Sequence, residues 1–166
     1  MFVLGIDPGV SRCGYGGVTG AAGSALRAQA VGVITTAPAD PLPHRLAQLQ
    51  AELQSLIAEL RPDVVVVERV FFQTNVRTAM SVGQASGLAL AAASAAGCEV
   101  AQYTANEVKQ AVAGYGGADK GQVQRMVQRL LGLAEVPKPA DAADALALAV
   151  CHLTRAPRLA RIEAIT

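Results

Sequence analysis

Val64-Val65-Val66-Val67-Glu68 is the stretch on which the fold turns. Four β-branched residues follow one another without polar alternation, so the run reads as a central strand buried on both faces. Such strands occur in sheets with helices laid over each side. Upstream, from Pro43 onward, Leu46, Leu49, Leu53, Leu56, Ile57 and Leu60 recur at steps of three and four, one apolar stripe of a helix that Arg61-Pro62-Asp63 ends. Downstream, a polar loop leads into a long Ala-rich helix over about 77–96; Gly97 closes it and 99–103 reads as a second short strand.

The N-terminal apolar run Phe2-Val3-Leu4-Gly5-Ile6 stops at Asp7-Pro8-Gly9, where Pro presets φ and Gly accepts the positive φ of a turn. Apolar stretches at about 13–19 and 25–35, parted by the Gly- and Ala-rich 20–24, extend that strand into an antiparallel meander. Beyond 99–103 come a short helix from Thr104, a helix to about Leu131 capped by Asp119 with Gln122 as its capping-box partner, and a last helix from about Ala140 to Thr154. A meander leading into parallel crossovers predicts an α/β fold with a mixed five-stranded sheet and helices on both faces. No internal repeat or linker divides 1–166, which reads as one domain with 155–166, carrying Arg155, Arg158 and Arg161, as a mobile tail.

Composition agrees. A chain of 166 residues, 52% hydrophobic, buries one core. Fourteen Lys and Arg against thirteen Asp and Glu leave a net charge near +1, so bulk charge announces no polyanionic partner and placement must decide. Acids gathered in a metal site would leave the remaining surface more basic than the total. Cys13, Cys98 and Cys151 are odd in number and show no CxxC spacing, which argues against a disulfide framework or a zinc knuckle and fits a reducing cytoplasm. The N-terminus meets Asp7 too soon for a secretory signal. Thr78 to Cys98 carries no charge, but Gln84 and three serines make it too weakly apolar for a membrane span.

Four carboxylates stand out. Asp7 and Glu68 each end an apolar strand, and the reactive crevice of an open α/β sheet lies beyond the C-terminal ends of its parallel strands. Asp141 and Asp144, three residues apart, share one helix face. If the two strands are neighbours and the helix lies over them, the four acids form a divalent-metal site suited to phosphodiester hydrolysis, with no nucleophilic side chain required. Each acid has a plainer reading alone: Asp7 as a turn residue, Glu68 as an edge-strand charge, Asp141 and Asp144 as acids at a helix start.

Together with their neighbours they form a pattern. Gly5-Ile6-Asp7-Pro8-Gly9, Glu68-Arg69-Val70-Phe71, Gly83-Gln84-Ala85 and Asp141-Ala142-Ala143-Asp144-Ala145 occur in this order, and Val108-Lys109-Gln110 through Lys120-Gly121-Gln122-Val123 adds to them. Nearly the whole chain resembles the RuvC family of Holliday-junction resolvases. The resemblance implies a ribonuclease H-like fold and a homodimer that nicks two opposed strands of a four-way DNA junction, leaving 5′-phosphate and 3′-hydroxyl ends. It implies Mg²⁺ as cofactor, two ions per active site with Mn²⁺ able to substitute, held by Asp7, Glu68, Asp141 and Asp144. It also implies a branch-migration helicase complex as partner and a cytoplasmic setting in recombination and repair.

Other residues are candidates for holding DNA. Phe71 and Phe72, two of only three phenylalanines, follow Glu68 in a segment with Gln73, Asn75 and Arg77, and either ring would stack on or wedge beside an unpaired base, the alternative being ordinary packing beneath the loop. Lys109 and Lys120, two of only three lysines, bracket the Gly-rich 114–117 and would neutralise phosphates near the cut; solvated surface lysines are the alternative. Arg69, Arg77 and Arg125 are further phosphate contacts. Gly83 and Gly87 let another element approach their helix, either a second subunit or the protein's own sheet. His44 and His152 have no ligand-like spacing and take no role.

Three rival functions remain open to test. A non-catalytic junction binder would not need all four acids. An actin-like ATPase needs two such domains, more than this length allows. A related nuclease acting on RNA or simple branched DNA would share the metal site and differ in substrate.

Overall fold

The computed structural model describes residues 1–21, 24–69 and 76–163, the side chains of 76–78 and 156–163 excepted. The elements run β1 (Phe2–Asp7), β2 (Arg12–Thr19), β3 (Arg27–Thr35), α1 (Leu42–Leu60), β4 (Val64–Glu68), α2 (Val76–Ala95), β5 (Glu99–Tyr103), α3 (Ala105–Ala113), α4 (Lys120–Leu131) and α5 (Ala140–Glu163). The strands form one five-stranded sheet in the order β3-β2-β1-β4-β5. β1 pairs antiparallel with β2 and β2 with β3, whereas β4 lies parallel to β1 and to β5, which gives the mixed sheet expected from the chain order.

β4 is the buried core strand its valines foretell. Val64 and Val66 face one side, packed with Val3, Val18 and the apolar faces of α3, α4 and α5. Val65 and Val67 face the other, packed with Leu4, Ile6 and the inner faces of α1 and α2. All four are at most 1% exposed, and each contributes roughly 1.5–3 kcal/mol of burial free energy.

Local signals set the helix ends. Arg61 takes the left-handed conformation at φ 48° and returns its N–H to the carbonyl of Ile57, closing α1 just before Pro62. Thr104 with Glu107 opens α3, and Asp119 with Gln122 opens α4, each through a reciprocal capping box that satisfies backbone N–H groups left free in a first turn. One boundary differs from expectation. α5 passes Thr154, its expected end, and continues to Glu163 with Pro157 inside it. An interior proline removes one backbone donor and crowds the carbonyl four residues before it, a local cost the helix carries at this point.

α5 lies unusually close to the sheet. A side chain at Gly5 would collide with the backbone carbonyl of Ala145, and one at Gly14 with that of Asp141. These two glycines, on β1 and β2, let the helix backbone rest directly on the strands. That contact lowers the first turns of α5 toward the end of β1.

Candidate active site

β1 and β4 are adjacent and parallel, with Ile6 opposite Val67, so the next residues, Asp7 and Glu68, end side by side at the C-terminal edge of the sheet. α5, seated on Gly5 and Gly14, adds Asp144 from above. α3 and α4 complete the enclosure. The resulting cleft of about 290 Å³ is lined by Asp7, Glu68, Asp144, Lys109 and Lys120 on its polar side and by Val108, Val123 and Leu148 on its apolar side. Five of the residues singled out from sequence therefore converge on one cavity.

The electrostatics of this cleft are those of acids pressed together. Burial, and then the negative charges of Glu68, Asp144 and Asp141, push the Asp7 carboxyl up to about 7, with Lys120 offsetting part of the rise. Glu68 is raised as well, by burial first and by Asp144 second. The two α5 acids are each met by a cation. Lys120 Nζ stands 2.6 Å from Asp144 Oδ2, and Arg12 Nε donates to Asp141 Oδ2 at 2.9 Å. The hydrogen bond to Asp144 is the first cause that raises Lys120 above the usual lysine value, so its ammonium stays charged through the neutral range.

Asp141 lies beside the cleft, turned to Arg12, and not on its lining. Among the described residues no three His, Cys, Asp or Glu side chains stand close enough to enclose an ion. The donor set nonetheless fits a hard divalent cation: oxygen ligands only, and carboxylates whose mutual repulsion such a cation would relieve. Rotation of Asp144 away from Lys120 and of Asp141 away from Arg12 is what closing the shell would require.

The remaining sequence candidates fall elsewhere. Arg69 is exposed just past Glu68, its backbone N–H bonded to the carbonyl of Tyr103, and Arg125 is exposed on α4. Phe71 and Phe72 lie outside the described residues, as does the side chain of Arg77 on α2. Gly83 and Gly87 are exposed on α2 and a Cβ at either would meet nothing, so they do not serve the protein's own sheet. His44 is exposed; His152 is buried, its Nδ1 3.0 Å from the hydroxyl of Tyr103.

Two supports of the site escaped sequence reading. Arg12 pairs with Asp141 across 129 residues, a separation at which no spacing rule operates. A second group ties the end of β5 to α3 and α5: Tyr103 bonds His152, Arg155 lies 5.5 Å over the Tyr103 ring, and its Nη2 reaches Glu107 Oε1 at 3.3 Å. Because Glu107 also caps α3, this group fixes the helix that carries Val108 and Lys109 into the cleft.

A three-strand meander running into parallel crossovers, with acids at the ends of its first and fourth strands and more on a covering helix, defines a ribonuclease H-like nuclease fold. The comparisons with known proteins narrow the class. The family model for crossover junction endodeoxyribonuclease RuvC matches residues 3–152, and the chain belongs to that family. A crossover junction endodeoxyribonuclease RuvC of Salinispora arenicola is 55% identical over 164 residues, covering 99% of this chain and 94% of the relative. The structure of Thermus thermophilus RuvC in complex with Holliday junction substrate superposes with a TM-score of 0.90 at 39% identity, covering 95% of this chain and 96% of the other. The yeast mitochondrial Holliday junction resolvase Ydc2 shares the fold, with a TM-score of 0.73 at 16% identity over 98% of this chain and 83% of its own.

Proposed function

We propose that this chain resolves four-way (Holliday) DNA junctions as a homodimer, by paired symmetric nicks on opposed strands that leave 5′-phosphate and 3′-hydroxyl ends. The observation that carries the reading is the single cleft that unites Asp7, Glu68, Asp144, Lys109 and Lys120 in a member of this family. Mg²⁺ held by Asp7, Glu68, Asp141 and Asp144, two ions per site with Mn²⁺ as a substitute, would supply Lewis acidity and an activated water. The chain's own residues do the rest. The two strands hold Asp7 and Glu68 rigidly, α5 presents Asp141 and Asp144 on one face, and Lys109 and Lys120 bring positive charge to the phosphate.

Phe71, Phe72 and Arg77 stand within nine residues after Glu68 in sequence and are assigned to the DNA at the branch point. The dimer reading is supported by α2, whose Ala85, Ala89 and Ala93 are buried inward while Gly83, Gly87 and Met80 stand exposed outward. Small residues on an uncovered face allow close approach of a second helix. A branch-migration helicase complex is the partner the family membership suggests, and the cytoplasm the setting. No helix among the described residues is long and apolar enough to cross a membrane.

The test is cleavage of a mobile four-way junction with strand-by-strand mapping, beside duplex, flap and RNA–DNA hybrid substrates. Symmetric nicks on two opposed strands are expected. Preference for the hybrid overturns the junction assignment, and undiminished cleavage by Asp7→Asn overturns the proposed site.

A further inference from the structure

Tyr115 stands in the loop between α3 and α4 with 49% of its surface exposed. It is the one exposed phenylalanine or tyrosine among the described residues, since Tyr103 is buried and Phe2 and Tyr15 are half-buried. The ring is held in place. Its hydroxyl donates to Gln122 Oε1 at 2.8 Å, and that oxygen also accepts the backbone N–H of Asp119 at 2.8 Å, so the ring is tied to the capping box that opens α4. Gly117 lies against it, where a Cβ would stand 3.2 Å from ring Cε2.

The position of this ring gives it a use. Its loop joins the two helices that send Lys109 and Lys120 into the cleft, and Gln122, its anchor, is two residues past Lys120. A DNA strand whose phosphates meet those ammonium groups runs against the two helices that this loop connects. Phosphate contacts set register, and a flat aromatic surface beside them takes an unstacked base without reading its identity. Because the tether has already restricted the ring, little rotamer entropy remains to be lost on binding. We propose that Tyr115 is a stacking platform for an unpaired base of the junction next to the cut phosphate. The proposal rests on the reading of the cleft as the cutting site.

The experiment uses four-way junctions carrying 2-aminopurine at one position at a time around the exchange point, titrated with the full chain in EDTA so that binding is read without turnover. Wild type is expected to quench the fluorescence at one position. Tyr115→Phe, which keeps the ring, should retain the quenching, and Tyr115→Ala should lose it and bind the junction roughly tenfold more weakly. Tyr115→Leu provides the same comparison with apolar bulk retained, should the smaller side chain disturb the loop's fold. Wild-type binding without quenching at any position, or quenching and affinity unchanged in both ring-less variants, overturns the proposal. Failure of the underlying site is read separately, as cleavage that survives Asp7→Asn.

Discussion

Lys120 reaches from the first turn of α4 to place its ammonium 2.6 Å from Asp144 Oδ2 on α5, joining the two helices across the cleft. The pair is partly open to solvent, Lys120 at 60% and Asp144 at 30%, so its value to stability is small, and its importance is to the site. A cation held by the carboxylates would compete with Lys120 for Asp144 and leave its ammonium free for the phosphate. Lys120→Met should therefore lower single-turnover cleavage by about ten- to a hundredfold while junction affinity in EDTA falls only a few-fold. Losses of equal size in both would mean that Lys120 docks DNA and takes no further part.

Asp7 is predicted to make the metal-free protein less stable as pH rises. Its folded value of about 7 exceeds the ordinary value of 3.8, so the folded state binds the extra proton between these limits. The stability it contributes is fully present below pH 3.8 and is lost as pH rises through 7. Thermal melts in EDTA should show the midpoint falling between about pH 4 and pH 7 and levelling off above, with Mg²⁺ restoring it at the alkaline end by mass action. A flat profile in EDTA in the His152→Gln background, which removes the opposing titration, would contradict the crowding of acids at the cleft.

Asp7→Asn separates chemistry from folding. Cleavage should disappear with Mg²⁺ while junction binding stays near wild type. Above pH 7 the metal-free variant should melt higher than wild type, because a neutral amide replaces a carboxylate that burial, Glu68 and Asp144 all disfavour. A variant that loses both binding and stability would show that Asp7 supports the fold instead.

Gly14→Ala tests how α5 is seated. The added methyl would collide with the carbonyl of Asp141, so the helix start must move or the strand must bend, and overpacking of this kind costs about 1–3 kcal/mol. Urea melts should show that loss, and Mn²⁺ titration should show weaker binding because Asp141 and Asp144 move with the helix. Metal affinity unchanged alongside reduced stability would place the strain elsewhere.

Local features of the chain explain what was legible in it. The unbroken valines of 64–67 report burial on both faces because a strand exposed on one side alternates, and the Asp119 to Gln122 box marks its helix because both partners lie within one turn. The convergence of Asp7, Glu68 and Asp144 was legible from their positions at element ends, whereas Asp141 stands beside the cleft. The pairing of the acids with Arg12 and Lys120 was not legible, since Arg12 and Asp141 are 129 residues apart and only the finished packing sets them 2.9 Å from each other. Gly5 and Gly14 also give no signal alone, because what they make room for is a helix far along the chain.

His152 yields a prediction of opposite sign to that for Asp7. Burial holds its imidazole below the ordinary 6.5, Glu99 opposing, and its Nδ1 lies 3.0 Å from the Tyr103 hydroxyl. The unfolded chain takes up a proton near pH 6.5 that the folded chain resists, so the stability His152 contributes is present above that pH and lost as pH falls below it. His152→Gln should be less stable than its parent at pH 8, by about 1–3 kcal/mol for the disturbed buried hydrogen bond, and the gap should narrow toward pH 5. The comparison belongs in EDTA and in the Asp7→Asn background, since Asp7 gains protons over the same window and would mask the trend. A gap that widens on acidification would mean that the folded protein holds His152 protonated, and that the contact with Tyr103 is made by a charged ring.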